Sequence, residues 1–161
     1  MIRRAACALA LVLAACAPPS KVPVRDSTAP IGATTRFDAA AFSGDWQVAA
    51  RFGPAPTSVL SVQFDPASGH LTLSGGGLGS AEGVYQADVP GVLTPVGSGG
   101  AALVVMWIDE DVETAAIGTV SGSYGALLDR DGNIPPDRMQ AARDILEFYG
   151  WNVAALVRTS P

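Results

Sequence analysis

A succession of short runs in which apolar and polar residues alternate constrains this chain more than anything else in it. "GDWQVAARF" (44–52) sets Trp46, Val48, Ala50 and Phe52 against Gln47 and Arg51. "SVLSVQFD" (58–65) sets Leu60, Val62 and Phe64 against Ser61, Gln63 and Asp65. After a "PASG" turn, "HLTLS" (70–74) repeats the pattern with Leu71 and Leu73. Alternation with a period of two places every second side chain on one face, the mark of a half-buried strand. Weaker runs follow at 82–88 and 91–97, where Pro95 points to an edge or a bulge. "AALVVMWID" (101–109) is apolar throughout, as a strand covered on both faces must be. "VETAAIG" (112–118) and "YGALLDR" (124–130) complete eight strands. Strands spaced roughly 8–12 residues apart, with no helix between them, predict an all-β fold. The arrangement that leaves no exposed edge is an eight-stranded up-and-down antiparallel β-barrel.

One helix and one further strand follow. "PPDRMQAARDILEFYGW" opens on Pro135 and Pro136, which favour a helix start, and Met139, Ala142, Leu146 and Tyr149 then form one apolar stripe. Gly150 is placed to end the helix, and "NVAALV" (152–157) predicts a short last strand. The striped helix is expected to pack on the barrel.

The N-terminus has a separate character. Arg3 and Arg4 precede the short apolar run "AACALALVLAAC", which is too short to span a bilayer and reads as a signal peptide. Its end, "LAAC" (Leu13 to Cys16), resembles the lipobox of bacterial lipoproteins. That resemblance implies a signal peptide over 1–15, cleavage before Cys16, and lipidation of Cys16 by several fatty acyl chains such as palmitate, which anchor stably where one would not. Ala17, where an aspartate would favour retention at the inner membrane, implies the outer membrane, with the domain facing the periplasm. Cys7 would be lost with the signal, so no disulfide is expected. Residues 16–36 then read as the lipidated cysteine and a proline-spotted, mobile tether, and residues 37–161 as the barrel domain.

The barrel itself resembles the bacterial lipocalins. "SGDWQVAARF" resembles the first signature of that family, a Gly-x-Trp on the first strand, with Gly44 and Trp46 at the closed base of the barrel. "LLDR", ending at Arg130, resembles the arginine that in the family lies across the tryptophan face. "DGNIPPDRMQAARDILEFYGWNVAALVRTS" resembles the family's C-terminal helix, Gly-aromatic-Asn pattern and final strand. The family's middle signature, Thr-Asp-Tyr, is reduced here to Asp111 between Glu110 and Val112, and Ala126 stands where bacterial members often carry tryptophan. The resemblance implies a membrane-anchored protein that binds and carries, or stores, a small hydrophobic ligand.

Strand parity from an inward Trp46 puts Val48, Ala50, Phe52, Leu60, Val62, Phe64, Leu71 and Leu73 inside, none of them ionisable. An interior of that kind suits a fatty acid or a lysophospholipid with its head at the mouth. Ala50, Gly125 and Ala126 are small and favour an open space over a filled core. The competing reading is a structural or interaction lipoprotein of the cell envelope with no ligand.

Enzyme chemistry finds little support. His70 is the chain's single histidine, there is no Gly-x-Ser-x-Gly elbow, and no acid–base pair stands out. "DEDVE" (109–113) reads as a solvated turn. "DRDGN" (129–133) lacks the glycine offset and the distal glutamate of a calcium loop. No enzyme activity, cofactor or metal is expected. A net charge of −5, with 10 basic and 15 acidic residues, argues against nucleic acid as a partner. The sequence leaves the oligomeric state open.

Overall fold

The computed structural model describes residues 24–53 and 58–159. The signal segment and Cys16 lie outside the described residues. Eight antiparallel strands run in chain order around a closed barrel: β1 (Gly44–Phe52), β2 (Val59–Asp65), β3 (His70–Gly75), β4 (Gly83–Val89), β5 (Val92–Pro95), β6 (Leu103–Ile108), β7 (Thr114–Thr119) and β8 (Gly125–Asp129). β1 closes the ring by pairing with both β2 and β8. The predicted eight-stranded up-and-down barrel is therefore the fold. A four-residue helix, α1 (Ala39–Phe42), leads into β1, and α2 (Pro136–Phe148) lies on the outer wall against β6 and β7. A 3-10 turn over Val153–Ala155 replaces the first half of the predicted last strand. The strand itself, β9 (Leu156–Arg158), pairs with β1 outside the ring.

Registers give the barrel two distinct ends. The β2–β3, β4–β5 and β6–β7 turns share one end, the base, with α1 and the start of β1. Connections 75–82, 96–102 and 119–124 share the other end, the mouth.

Two apolar clusters follow from the alternation. The inner one contains Trp46, Val48, Leu60, Leu71, Ile117 and Leu128 among others, nearly all fully buried. The outer one lies between the barrel wall and α2, where Val104, Met106, Ala116 and Leu127 meet Ala142 and Leu146. β6 faces both clusters, which is why its sequence is apolar throughout. On the predicted helix stripe, Ala142 and Leu146 are buried, and Met139 and Tyr149 are half-buried. Gly150, at φ +82°, ends the helix, and the Trp151 N–H donates to the Leu146 carbonyl. The Trp151 indole then lies flat over Gly118 and Gly125, where a Cβ at either position would collide with the ring.

Gly125 thus serves the outer wall and not a cavity. Ala50 and Phe52 also belong outside. A β-bulge between Val48 and Ala50 inserts one extra residue into β1 opposite β8, and every side chain beyond it changes face. Ala50 packs in the outer cluster, and Phe52 stacks on Trp151 with ring centroids 4.9 Å apart. The expectation that both line the interior is corrected by that single inserted residue.

The second half of the expected tether is also not free. Residues 24–36 form a strap along the outer wall, where the Asp26 N–H donates to the Gly150 carbonyl and the Thr34 N–H to the Val105 carbonyl. Arg25, 3% exposed, donates from Nη1 to the Val120 carbonyl (2.6 Å) and from Nη2 to the Ala29 carbonyl (2.7 Å). Ile31 and Ala33 pack into the outer cluster. A segment with one proline and no periodicity is held by backbone pairing and one buried arginine, so the folded unit begins at least as early as Val24.

Candidate functional site

At the base, Trp46 is fully buried and its indole Nε1 donates to the Phe42 carbonyl at 2.9 Å. The Arg130 guanidinium carbon lies 3.7 Å from the Trp46 ring centroid. Its nitrogens donate to the carbonyls of Ala41 (2.8 Å), Asp45 (3.2 Å) and Val112 (3.3 Å). Arg130 therefore ties α1, β1 and the β6–β7 turn together across one aromatic face. Burial pulls its pKa down, while the Glu113 and Asp45 carboxylates act in the other direction. Gly44 has a structural reason to be glycine: φ is +108°, and a Cβ there would press within 3.1 Å of the Arg130 guanidinium. The Gly-x-Trp at the start of β1 and the arginine after β8 are thus one device that seals the base. Arg130→Ala should cost about 1–2 kcal/mol, the worth of a partly desolvated cation–π contact, and should expose the Trp46 ring. A lower urea midpoint with a red-shifted tryptophan emission is the expected readout.

Above the base, the interior is filled by its own side chains. Val48, Leu60, Val62, Leu71 and Leu73 point inward and are at most 1% exposed, and Phe64 is half-buried near the base. Leu93, Leu103, Val105 and Ala126, which parity reasoning had not placed, complete the packing. A cleft of about 440 Å³ lies on the outer surface between β1, the 131–133 turn and Arg158–Thr159, and one of about 270 Å³ lies at the mouth between segments 80–85 and 95–100. The interior space expected from small residues is, in this conformation, occupied.

What closes the mouth is the glycine-rich connection 75–82. Leu78, 5% exposed, drops into the inner cluster like a stopper. It is carried between Gly75, Gly76, Gly77 and Gly79, all with φ between +56° and +76°. Only glycine adopts that backbone region without strain, so the sequence "GGGLG" is required by this path. Two inward tyrosines brace it. Tyr124 donates its hydroxyl to the Gly76 carbonyl at 3.2 Å, and Tyr85 donates to the Ala81 carbonyl at 2.5 Å. Burial pushes the Tyr124 pKa up to about 12, so it stays a neutral donor.

Arg51 is the residue that parity reasoning missed. The bulge that turns Phe52 outward turns Arg51 inward, opposite Ala126 of the inner face. Its guanidinium sits 5.9 Å from the Tyr124 ring centroid and directly against Gly77, where a Cβ would overlap it. Its Nε is buried and has no hydrogen-bond partner among the described residues. A cation whose Nε has no partner among the described residues therefore stands just under the mouth, above mostly apolar walls. The signal lay in "VAAR": Ala49 and Ala50 are both apolar, which interrupts strict alternation.

The remaining candidates have structural partners. His70 begins β3 at the base, opposite Asp65. Asp109 accepts from the Glu113 and Thr114 N–H groups and pairs with Arg138 at 3.0 Å. Asp129 accepts from the N–H groups of Asp131, Gly132 and Asn133, so its carboxylate shapes the turn before α2. Among the described residues no group of three or more His, Cys, Asp or Glu could hold a metal ion.

No protein-family model matches the chain, and no match was found among curated proteins. Solved structures do match. The siderocalin Ex-FABP, described as functioning through dual ligand specificities, superposes with a TM-score of 0.56 at 12% identity, over 75% of this chain and 95% of its own. Apocrustacyanin C2 gives 0.52 and lobster apocrustacyanin A1 gives 0.53. Each is 12% identical and matches over 74% of this chain and 77% of its own. At that identity the likeness speaks for architecture alone: the chain is built on the lipocalin-type barrel.

Proposed function

We propose that the chain is a membrane-anchored carrier of the lipocalin kind, which takes a fatty acid or a lysophospholipid into its barrel, apolar chain inward. Cys16, acylated, would hold it at the outer membrane with the domain facing the periplasm. One observation carries the reading: Arg51, turned inward by the bulge, faces the mouth with an Nε that has no partner among the described residues, above walls that are mostly apolar. An amphipathic anion matches that combination. Its head would meet Arg51 where some water remains, and its chain would replace Leu78 and spread the inner side chains. Each buried CH₂ contributes about 0.8 kcal/mol, whereas exposing one leucine costs roughly 1.5–3 kcal/mol, so a long chain displaces the stopper and a short one does not. Carriage, not catalysis, is what these groups support.

A second reading has its own observation. The inner cluster is packed without help from a ligand, as a solid core would be. In that case the protein acts through its surface on an envelope partner.

Titration of the soluble chain lacking residues 1–16 with fatty acids of increasing length separates the two. Saturable binding should appear only beyond a threshold length, tighten with each further carbon, and then level off. Absence of binding at every length, with the barrel shown to be folded, would leave the filled-core reading in place.

A further inference from the structure

We infer that the mouth of the barrel is held facing the bilayer surface, so that ligand would pass between membrane and interior without crossing the periplasmic water. The inference rests on the anchor at Cys16 in the function proposed above and goes beyond it in assigning an orientation. Three observations converge on it.

The first is where the strap begins. Arg25 is fastened to the Val120 carbonyl in the β7–β8 connection, and Gly122 of that connection packs against its Cβ. Val24, the first described residue, therefore lies at the mouth end, while Arg36, paired with Glu110, marks the strap's other end at the base. From Cys16 to Val24 the chain spans at most about 28 Å when fully extended. Strands averaging about six residues, tilted as barrel strands are, make the barrel roughly 15 Å tall. Turning the base to the membrane would lift Val24 by about that height, take up roughly half of that reach and cost some chain entropy. With the mouth toward the membrane no such extension is needed.

The second is charge. The base carries Asp65, Asp88, Asp109, Glu110, Asp111 and Glu113 against Arg36, Arg130 and Arg138, three of the carboxylates being paired with Arg36 or Arg138, and so stays acidic on balance. Among the described mouth connections 75–82, 96–102 and 119–124, the single charged side chain is Glu82, which accepts from the Gly75 N–H. An anionic lipid surface repels carboxylates within about a Debye length, roughly 8 Å at physiological salt, so it disfavours the base and tolerates the mouth.

The third is exposed apolar surface. Val96 (46% exposed) and Val120 (48%) stand on the mouth connections, and Phe148 (71%) stands on the last turn of α2 toward the same end. At the base, Val89 (58%) is the corresponding exposed aliphatic, one side chain against three at the mouth end among the described residues. Side chains of this kind gain by entering the headgroup region.

The test uses the full lipidated protein in vesicles of phosphatidylethanolamine and phosphatidylglycerol. Cys7 is lost with the signal and the Cys16 thiol is blocked by lipid, so V96C, V120C or V89C each supplies the one free thiol for a bimane label. Brominated acyl chains in the vesicles should quench label at positions 96 and 120 several-fold more than at 89. Equal quenching at the three positions, or stronger quenching at 89, overturns the orientation. Mass spectrometry of the same samples reads the acyl groups on Cys16, so a failed orientation on an acylated chain is distinct from a missing anchor, which also overturns the inference. Ligand titration of the soluble chain is unaffected by either result and tests the carrier reading alone.

Discussion

Cys16→Ser is expected to abolish acylation and to remove the protein from the outer-membrane fraction. The argument is chemical. The lipobox-like "LAAC" offers a thiol as the nucleophile to which a diacylglyceryl group attaches, and serine lacks both its softness and its acidity. The apolar run before it is too short to act as a membrane span in its place, and among the described residues no helix is long and apolar enough to serve. One acyl chain binds membranes only marginally, so anchoring depends on several chains gathered at this residue. Growth with labelled palmitate should mark the parent chain and leave the serine variant unmarked. The barrel, folded from Val24 onward, should keep its stability. Label on the serine variant would overturn the anchor, and with it the orientation argued above.

Much of the barrel was legible because one physical rule governs most of it. A strand with one wet face and one dry face must alternate, as β2 and β3 do, and strands covered on both faces, as β6, β7 and β8 are, need not. The helix stripe was legible for the same reason with a period of 3.6. The Trp46–Arg130 pair came from resemblance, and its geometry explains the resemblance: a glycine is needed where the guanidinium crosses the chain. Parity failed at one place. A bulge adds a residue without adding a turn signal, so Phe52 and Arg51 exchanged faces, and the group best suited to meet a ligand head was counted as outward. Composition misled at another. Prolines between residues 17 and 36 suggested a mobile tether, yet the hydrogen bonds of Asp26, Thr34 and Arg25 need no periodicity and leave no pattern to read. The closed mouth was hidden as well, since "GGGLG" reads as a loose turn until Leu78 is seen inside.

Arg51→Met should erase any preference of the barrel for a fatty acid over the fatty alcohol of equal length. Methionine keeps the length and much of the volume of the arginine stem, and the backbone pairing of Arg51 with Ala126 and Val157 does not depend on the side chain. What is lost is the one cation that the described residues place on the inner face near the mouth. Hydrogen bonds to charged groups are worth roughly 1.5–3 kcal/mol, so the carboxylate should bind the variant about ten- to a hundred-fold more weakly. The alcohol, which offers no charge, should bind both proteins alike. Tyr124→Phe is the control: with its pKa near 12 the phenol contributes no charge, so the acid-over-alcohol preference should survive its loss. Raising the salt should narrow the preference of the parent protein and leave the variant unmoved, because the site keeps some contact with water. Dissociation constants for the acid–alcohol pair, measured on both proteins, decide the matter. An equal loss for acid and alcohol would make Arg51 a packing residue of the mouth, and equal affinities in the parent would remove it from the head-binding role.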